Sequence, residues 1–339
     1  MREATPPLKR FSESLQEMAV CSKDKIVVAV SGGPDSVCLL RLFLKTGFSD
    51  LHVAHLNHDF RRESDQEAIF VADLCQSWGI PCTVEKRNVL ETCKQIHLSK
   101  QEGARLVRYR FLQEVANTQK ASVIALGHTA DDQVETLLTN LLRGSGMTGQ
   151  TGMPMRRTEE GRHLIRPMLS LTRDEILAEL SLAKISFVED ASNQDRRYLR
   201  NRIRHELIPL LETYNPRIRK ALLQGAELSR QENDFMDKTL AEIISKIDVA
   251  VGACAVSFSL SLFSSLHLSV KRRLLRWGIF RLRGHCRGIG FEHIETVLTK
   301  ILGIENGKRL GLPDRMTVRK TKTRLIIEWI NADMDSNQH

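Results

Sequence analysis

The chain has 339 residues, 42% of them apolar, with a formal net charge of +9. That length exceeds one ordinary domain, and that apolar content excludes a disordered polymer. No run of about 18 uncharged apolar residues is present, which excludes a membrane-spanning helix, and the first ten residues lack the apolar stretch of a secretory signal. A cytoplasmic protein with no membrane partner is expected. Seven cysteines, none spaced C-x-x-C, speak against a disulfide framework, a zinc ribbon or an iron–sulfur site and read as reduced thiols.

In chain order, Lys25 to Val30 reads as a buried strand, short and β-branched. The loop Ser31-Gly32-Gly33-Pro34-Asp35-Ser36 follows, and Val37 to Lys45 reads as a helix. Leu51 to Leu56 is the second strand, Asp65 to Trp78 a helix ended by Gly79, and Ile80 to Glu85 the third strand. Gln101 to Asn117 is a helix and Ala121 to Leu126 the fourth strand. Asp131 to Leu142 is a helix stopped by Gly144 and Gly146. This alternation predicts an α/β domain built on a doubly wound parallel sheet, with ligands at the carboxyl ends of its strands.

Past Asn215-Pro216 the pattern changes to long helical stretches, Arg217 to Ile247 and Ser269 to Arg281, and then to an alternating segment, Leu310 to Ile330. The expected organisation is a nucleotide domain over 1–215, a helical domain over 216–300 and a short β-hairpin extension over 301–339.

A strand that delivers two glycines to a helix start offers backbone N–H groups and a helix dipole to an anion. Ser31 and Ser36 add hydroxyl donors, and Asp35 either holds Mg²⁺ or caps the helix. No lysine follows the glycines, so the loop is not a Walker motif.

Charge is unevenly spread. Residues 1–150 hold 18 basic and 18 acidic residues, and residues 151–339 hold 32 and 23, so the whole excess lies in the later part. Basic runs include Arg196, Arg197, Arg200, Arg202 and Arg204, and Lys271, Arg272 and Arg273. They point to RNA along that part of the chain.

The loop in this setting resembles the pyrophosphate-binding loop of the N-type ATP pyrophosphatases, the PP-loop superfamily, whose fold is adenine nucleotide alpha-hydrolase-like. Three further stretches narrow the resemblance: His55-Leu56-Asn57-His58 with Phe60-Arg61; Gly127-His128-Thr129-Ala130-Asp131-Asp132-Gln133-Val134-Glu135-Thr136 running on to Arg143-Gly144-Ser145-Gly146 and Gly152-Met153; and Asp190-Ala191-Ser192-Asn193 leading into Tyr198 to His205. Together they resemble the tRNA(Ile)-lysidine synthetases, densely over residues 25–210. The resemblance implies a ligase that uses ATP and Mg²⁺ to adenylate C2 of the wobble cytidine of a tRNA(Ile) with a CAU anticodon, then joins free L-lysine there. Ser31, Gly32, Gly33, Pro34, Asp35, Ser36 and His55 are the expected nucleotide-binding set. Asp35 and Asp132 are the expected metal carboxylates. His128, or a carboxylate, would deprotonate the lysine amine, and Arg105 would reach phosphate or RNA. A homodimer is an open expectation. A tRNA thiolase of the same superfamily and a non-catalytic RNA-binding protein are the alternatives.

Overall fold

A computed structural model describes residues 5–59, 63–89, 91, 100–159, 161–188 and 196–329. Phe60-Arg61 and the Asp190–Asn193 stretch lie outside the described residues. The chain divides into two compact units, Met1–Arg230 and Gln231–His339.

In the first unit, strands β1 (Ile26–Ala29), β2 (Leu51–Asn57), β3 (Cys82–Lys86), β4 (Val123–Ala125), β5 (Arg156–Glu159) and β6 (Arg162–Ile165) form one sheet in the order β3-β2-β1-β4-β6-β5. All neighbours are parallel except β5 on β6, a hairpin edge turned by Gly161 at φ 78°. The double winding follows from side-chain alternation in β1. Ile26 and Val28 enter one core with Phe11, Leu39, Leu40 and Phe43, while Val27 enters the opposite core with Ala54, Phe111, Leu112 and Ile124. Each such fully buried aliphatic side chain stabilises the fold by about 1.5–3 kcal/mol. The order runs outward from β1 to β3 on one side and from β4 on the other. The β1/β4 junction is therefore the topological switch point where ligands of such sheets bind.

The expected boundary at residue 215 and the division at Arg230 differ for a packing reason. Leu222 and Leu223, beyond Asn215-Pro216, pack on Val134, Leu138, Ile203 and Ile208 of the first unit.

The second unit also differs from its expected layout. The segment read as a hairpin holds three strands, β9 (Arg309–Leu312), β10 (Met316–Lys320) and β11 (Arg324–Trp329). They join β7 (Val249–Val251) and β8 (Ala255–Ser259), from inside the stretch read as helical, in a five-stranded antiparallel sheet ordered β7-β8-β11-β10-β9. Leu325 opposite Phe258 and Ile327 opposite Val256 carry the join. All four are buried in one core with Leu274, Leu275, Ile294 and Val297 from the helices Leu268–Arg283 and Phe291–Lys300. Helices and strands here share a core, so they are one unit rather than a helical domain with an appendix. No helix among the described residues is long and apolar enough to cross a membrane.

Candidate active site

The loop after β1 is held open by its own hydroxyls. Ser36 Oγ donates to the Gly33 carbonyl at 2.9 Å and accepts from the Ser31 amide at 3.1 Å, and it lies 3.2 Å from Ser31 Oγ. Gly32 sits at φ 91°, a conformation that favours glycine, and its carbonyl accepts from the Val188 amide at 2.9 Å. Gly33 caps the helix Pro34–Lys45, and Pro34, which has no N–H, opens its first turn. Asp35 is therefore inside the helix rather than its cap. Gly127, after β4, brings a second backbone against the loop; a Cβ there would lie 3.2 Å from the Asp35 carbonyl.

Asp35 faces this junction with an incomplete set of partners. One carboxylate oxygen is buried with no hydrogen-bond partner among the described residues, and the other is 3.4 Å from Arg173 Nη1. Burial pushes the carboxyl up to about 6; Arg173 pulls it down, and Asp132 and Asp131 add to the rise.

The segment after β4 supplies three more carboxylates from the helix Ala130–Leu142. Thr129 caps it through a capping box with Asp132, whose carboxylate accepts from the Thr129 amide at 2.9 Å. Asp131 accepts from the Arg173 amide at 2.8 Å and from Arg219 at 2.7 Å. Glu135, one turn beyond Asp132, is 1% exposed and takes Arg200 on one oxygen and Arg204 on the other, each at 2.5 Å. Arg200 also reaches Asp132 at 2.5 Å. The two arginines share a face because they stand four residues apart, where the helix Leu199–Arg202 passes into a π-helical turn over Ile203–Leu207.

A basic side adjoins this acidic one. Arg105 and Arg157 lie 5.2 and 5.8 Å from the Tyr109 ring centroid, on its π-face. Arg166, following β6, is buried and donates to the Pro154 carbonyl at 2.7 Å. His128 lies in their field. Burial, then Arg166, Arg108, Arg200 and Arg105, push its pKa well below the usual histidine value, so its ring is neutral. His55 donates from Nδ1 to the Val30 carbonyl at 2.8 Å, and burial lowers its pKa too. That bond leaves Nε2 as an acceptor with no partner among the described residues.

A family described as a PP-loop domain matches residues 7–211. A tRNA(Ile)-lysidine synthase of Dehalococcoides mccartyi (strain CBDB1) is 33% identical over 332 residues, which cover 95% of this chain and 70% of the relative. The chain belongs to the tRNA(Ile)-lysidine synthase family. A second tRNA(Ile)-lysidine synthase, from Geobacter sulfurreducens, is 34% identical over 318 residues, 93% of this chain and 67% of that one. Among solved structures, the U34-tRNA thiolase NcsA from Methanococcus maripaludis, with its [4Fe-4S] cluster, shares the fold at a TM-score of 0.55 and 16% identity, over 66% of this chain and 78% of that one.

Within this lysidine synthase-family chain, Asp35, Asp132, His128 and the loop residues gather at the β1/β4 junction. Many of the arginines expected at RNA are instead tied to acids of their own unit. Arg200 and Arg204 hold Glu135, and Arg202 lies 3.6 Å from Glu206. In the second unit, Arg272 pairs with Glu295 at 2.6 Å and Arg273 with Asp237 at 2.6 Å, while Lys271 donates to the Ser264 carbonyl at 2.7 Å. Arg196 and Arg197 are exposed. Sequence reasoning gave no role to Glu135 or Arg173. The spacing of Glu135 three residues after Asp132 was a usable signal for the first. Nothing local marks the second, which lies 138 residues from Asp35.

Proposed function

We propose that the chain is an ATP-dependent ligase that attaches lysine to C2 of the wobble cytidine in the CAU anticodon of tRNA(Ile), giving lysidine with release of AMP and pyrophosphate. The observation that carries this reading is the match to a tRNA(Ile)-lysidine synthase along 95% of the chain, in which the glycine loop and the carboxylates stand at one switch point.

The loop amides and the helix start at Pro34 would bind the ATP pyrophosphate. The buried, unpartnered oxygen of Asp35 fits a cation ligand, and Mg²⁺ on one or two carboxylates with phosphates and water completing its shell suits that donor set. When bound, the metal would neutralise charge on the polyphosphate. Asp132 would be its second carboxylate on exchanging Arg200 for the cation. Among the described residues no three His, Cys, Asp or Glu form a ready metal cage.

Free lysine presents two ammonium groups and a carboxylate. Glu135 offers an acceptor for the α-ammonium, and Arg200 and Arg204, on turning from the acids they hold, offer N–H donors to the carboxylate. Attack on C2 needs the neutral amine, whose free pKa is about 10.4. His128 is a weak base for that proton, since its own pKa is held far lower. A carboxylate of the β1/β4 junction is the other candidate for that proton, and the neutral His128 ring offers an uncharged hydrogen-bonding group there. Arg105 and the exposed Arg196 and Arg197 are the first-unit residues assigned to RNA.

Pyrophosphate release from ATP tests this. It should require both tRNA(Ile) and the Asp35 carboxylate, so Asp35→Asn should lose at least about 100-fold in rate, the usual cost of removing a transition-state charge partner. Release by wild-type protein that ignores tRNA would contradict the reading.

A further inference from the structure

We propose that Arg173 is a catalytic residue of the adenylation step: its guanidinium rests on Asp35 in the free chain and passes to the pyrophosphate leaving group when ATP is bound. The proposal rests on the ATP reading above.

The backbone at Arg173 is held by several bonds and its guanidinium by one long contact. Thr172 caps the helix Arg173–Leu182 through a capping box with Glu175. Arg10 pairs with Glu175 and donates to the Ser170 carbonyl at 2.8 Å, and the Arg173 amide donates to Asp131 at 2.8 Å. These bonds lock the helix start beside the acids of the β1/β4 junction. The guanidinium itself has one acceptor among the described residues, Asp35, at 3.4 Å, and the side chain is 44% exposed. A charged N–H···O bond is ordinarily about 2.7–2.9 Å, so this pair is loose. Arg200 and Arg219, by contrast, each hold two acids, all at 2.7 Å or less.

Asp35 is equally under-partnered, with its second oxygen buried and unpaired. Asp35 would hold a cation that accompanies ATP, and the Arg173 guanidinium would then be left for the phosphates. The loop also needs that charge. Residues 31–36 contain no basic side chain, whereas a Walker loop carries its own lysine. Arg173 supplies the missing cation from a distant part of the chain.

In the step, the base oxygen bonds to the α-phosphorus, and the bond from that phosphorus to the bridging oxygen of the β-phosphate breaks. Its electron pair leaves on the pyrophosphate. Arg173 N–H groups meet that developing charge, the kind of stabilisation worth about 10²–10³ in rate for one donor.

The test uses the full chain as wild type, Arg173→Gln and Arg173→Lys. At saturating ATP, Mg²⁺ and tRNA, Arg173→Gln should release pyrophosphate about 100-fold more slowly, and Arg173→Lys should recover part of the loss. Calorimetric affinity for inorganic pyrophosphate with Mg²⁺ should fall by about tenfold or more in Arg173→Gln, while AMP affinity holds. Equal pyrophosphate affinity in wild type and both variants would overturn the proposal. So would a rate loss that excess Mg²⁺ fully restores, because Arg173 would then only position Asp35. Should Arg173→Gln fail to fold, Arg173→Lys carries both readouts. A wild type that binds pyrophosphate but never turns over would contradict the ligase reading and leave the role of Arg173 to the affinities.

Discussion

At Asp35, burial raises the folded pKa to about 6 from the usual 3.8, against the pull of Arg173. The native chain then holds this proton more tightly than the unfolded chain does. Stability is therefore lost as pH rises from about 4 to about 6, and the cost is fully present above that. Its upper limit is about 3 kcal/mol, reduced by the 29% of the side chain that stays exposed. Asp35→Asn should accordingly melt higher than wild type at pH 8 in the absence of Mg²⁺, with the gain shrinking by pH 5, while activity is lost. A lower melting temperature at both values would refute this account of the site. Glu135 works the other way. It is buried and holds two guanidinium groups, so Glu135→Ala should destabilise by about 2–4 kcal/mol, below the full penalty for a broken buried pair because both arginines reach solvent. Chemical denaturation would measure it.

Among the elements, the β1-loop-helix unit was legible because every signal in it is local. The β-branched run, the glycines and the apolar helix all fall within twenty residues. The pairing of Arg200 and Arg204 with Glu135 was not legible, since it joins residues 65 and 69 positions apart and an arginine run looks alike whether it meets acids or solvent. Strands β7 and β8 were missed for a different reason. They are short and rich in small residues; β7 pairs with β8, and β8 in turn pairs with β11, far along the chain. The helix Leu268–Arg283 crosses that sheet closely at Gly278, where a Cβ would lie 2.8 Å from Ile327 and 3.1 Å from Phe258, both fully buried. Gly278→Val should cost about 1–3 kcal/mol through overpacking. Gly225, in the helix Ile218–Lys246 with nothing within 4 Å of its Cβ position, should behave oppositely. Gly225→Ala should gain up to about 1 kcal/mol. Melting curves of the two variants moving in the same direction would contradict the assignment.

For the whole molecule, the separation of charge survives in a changed form. The basic excess of residues 151–339 is real, yet many of its arginines already neutralise acids within their own units. Fewer cations are free for phosphate than the composition implies. The logarithm of the tRNA association constant should fall with the logarithm of salt concentration at a slope set by the contacts actually made. Arg196→Ala with Arg197→Ala should make that slope shallower by about two; an unchanged slope would remove these residues from the RNA surface. The central claim is tested most directly by incubating the full chain with labelled lysine, ATP, Mg²⁺ and tRNA(Ile) bearing a CAU anticodon, then digesting the RNA to nucleosides and weighing them. The account predicts a cytidine carrying one lysine, formed only with ATP and lost in Asp35→Asn. Labelled lysine absent from the RNA, with ATP and tRNA both bound, would contradict it.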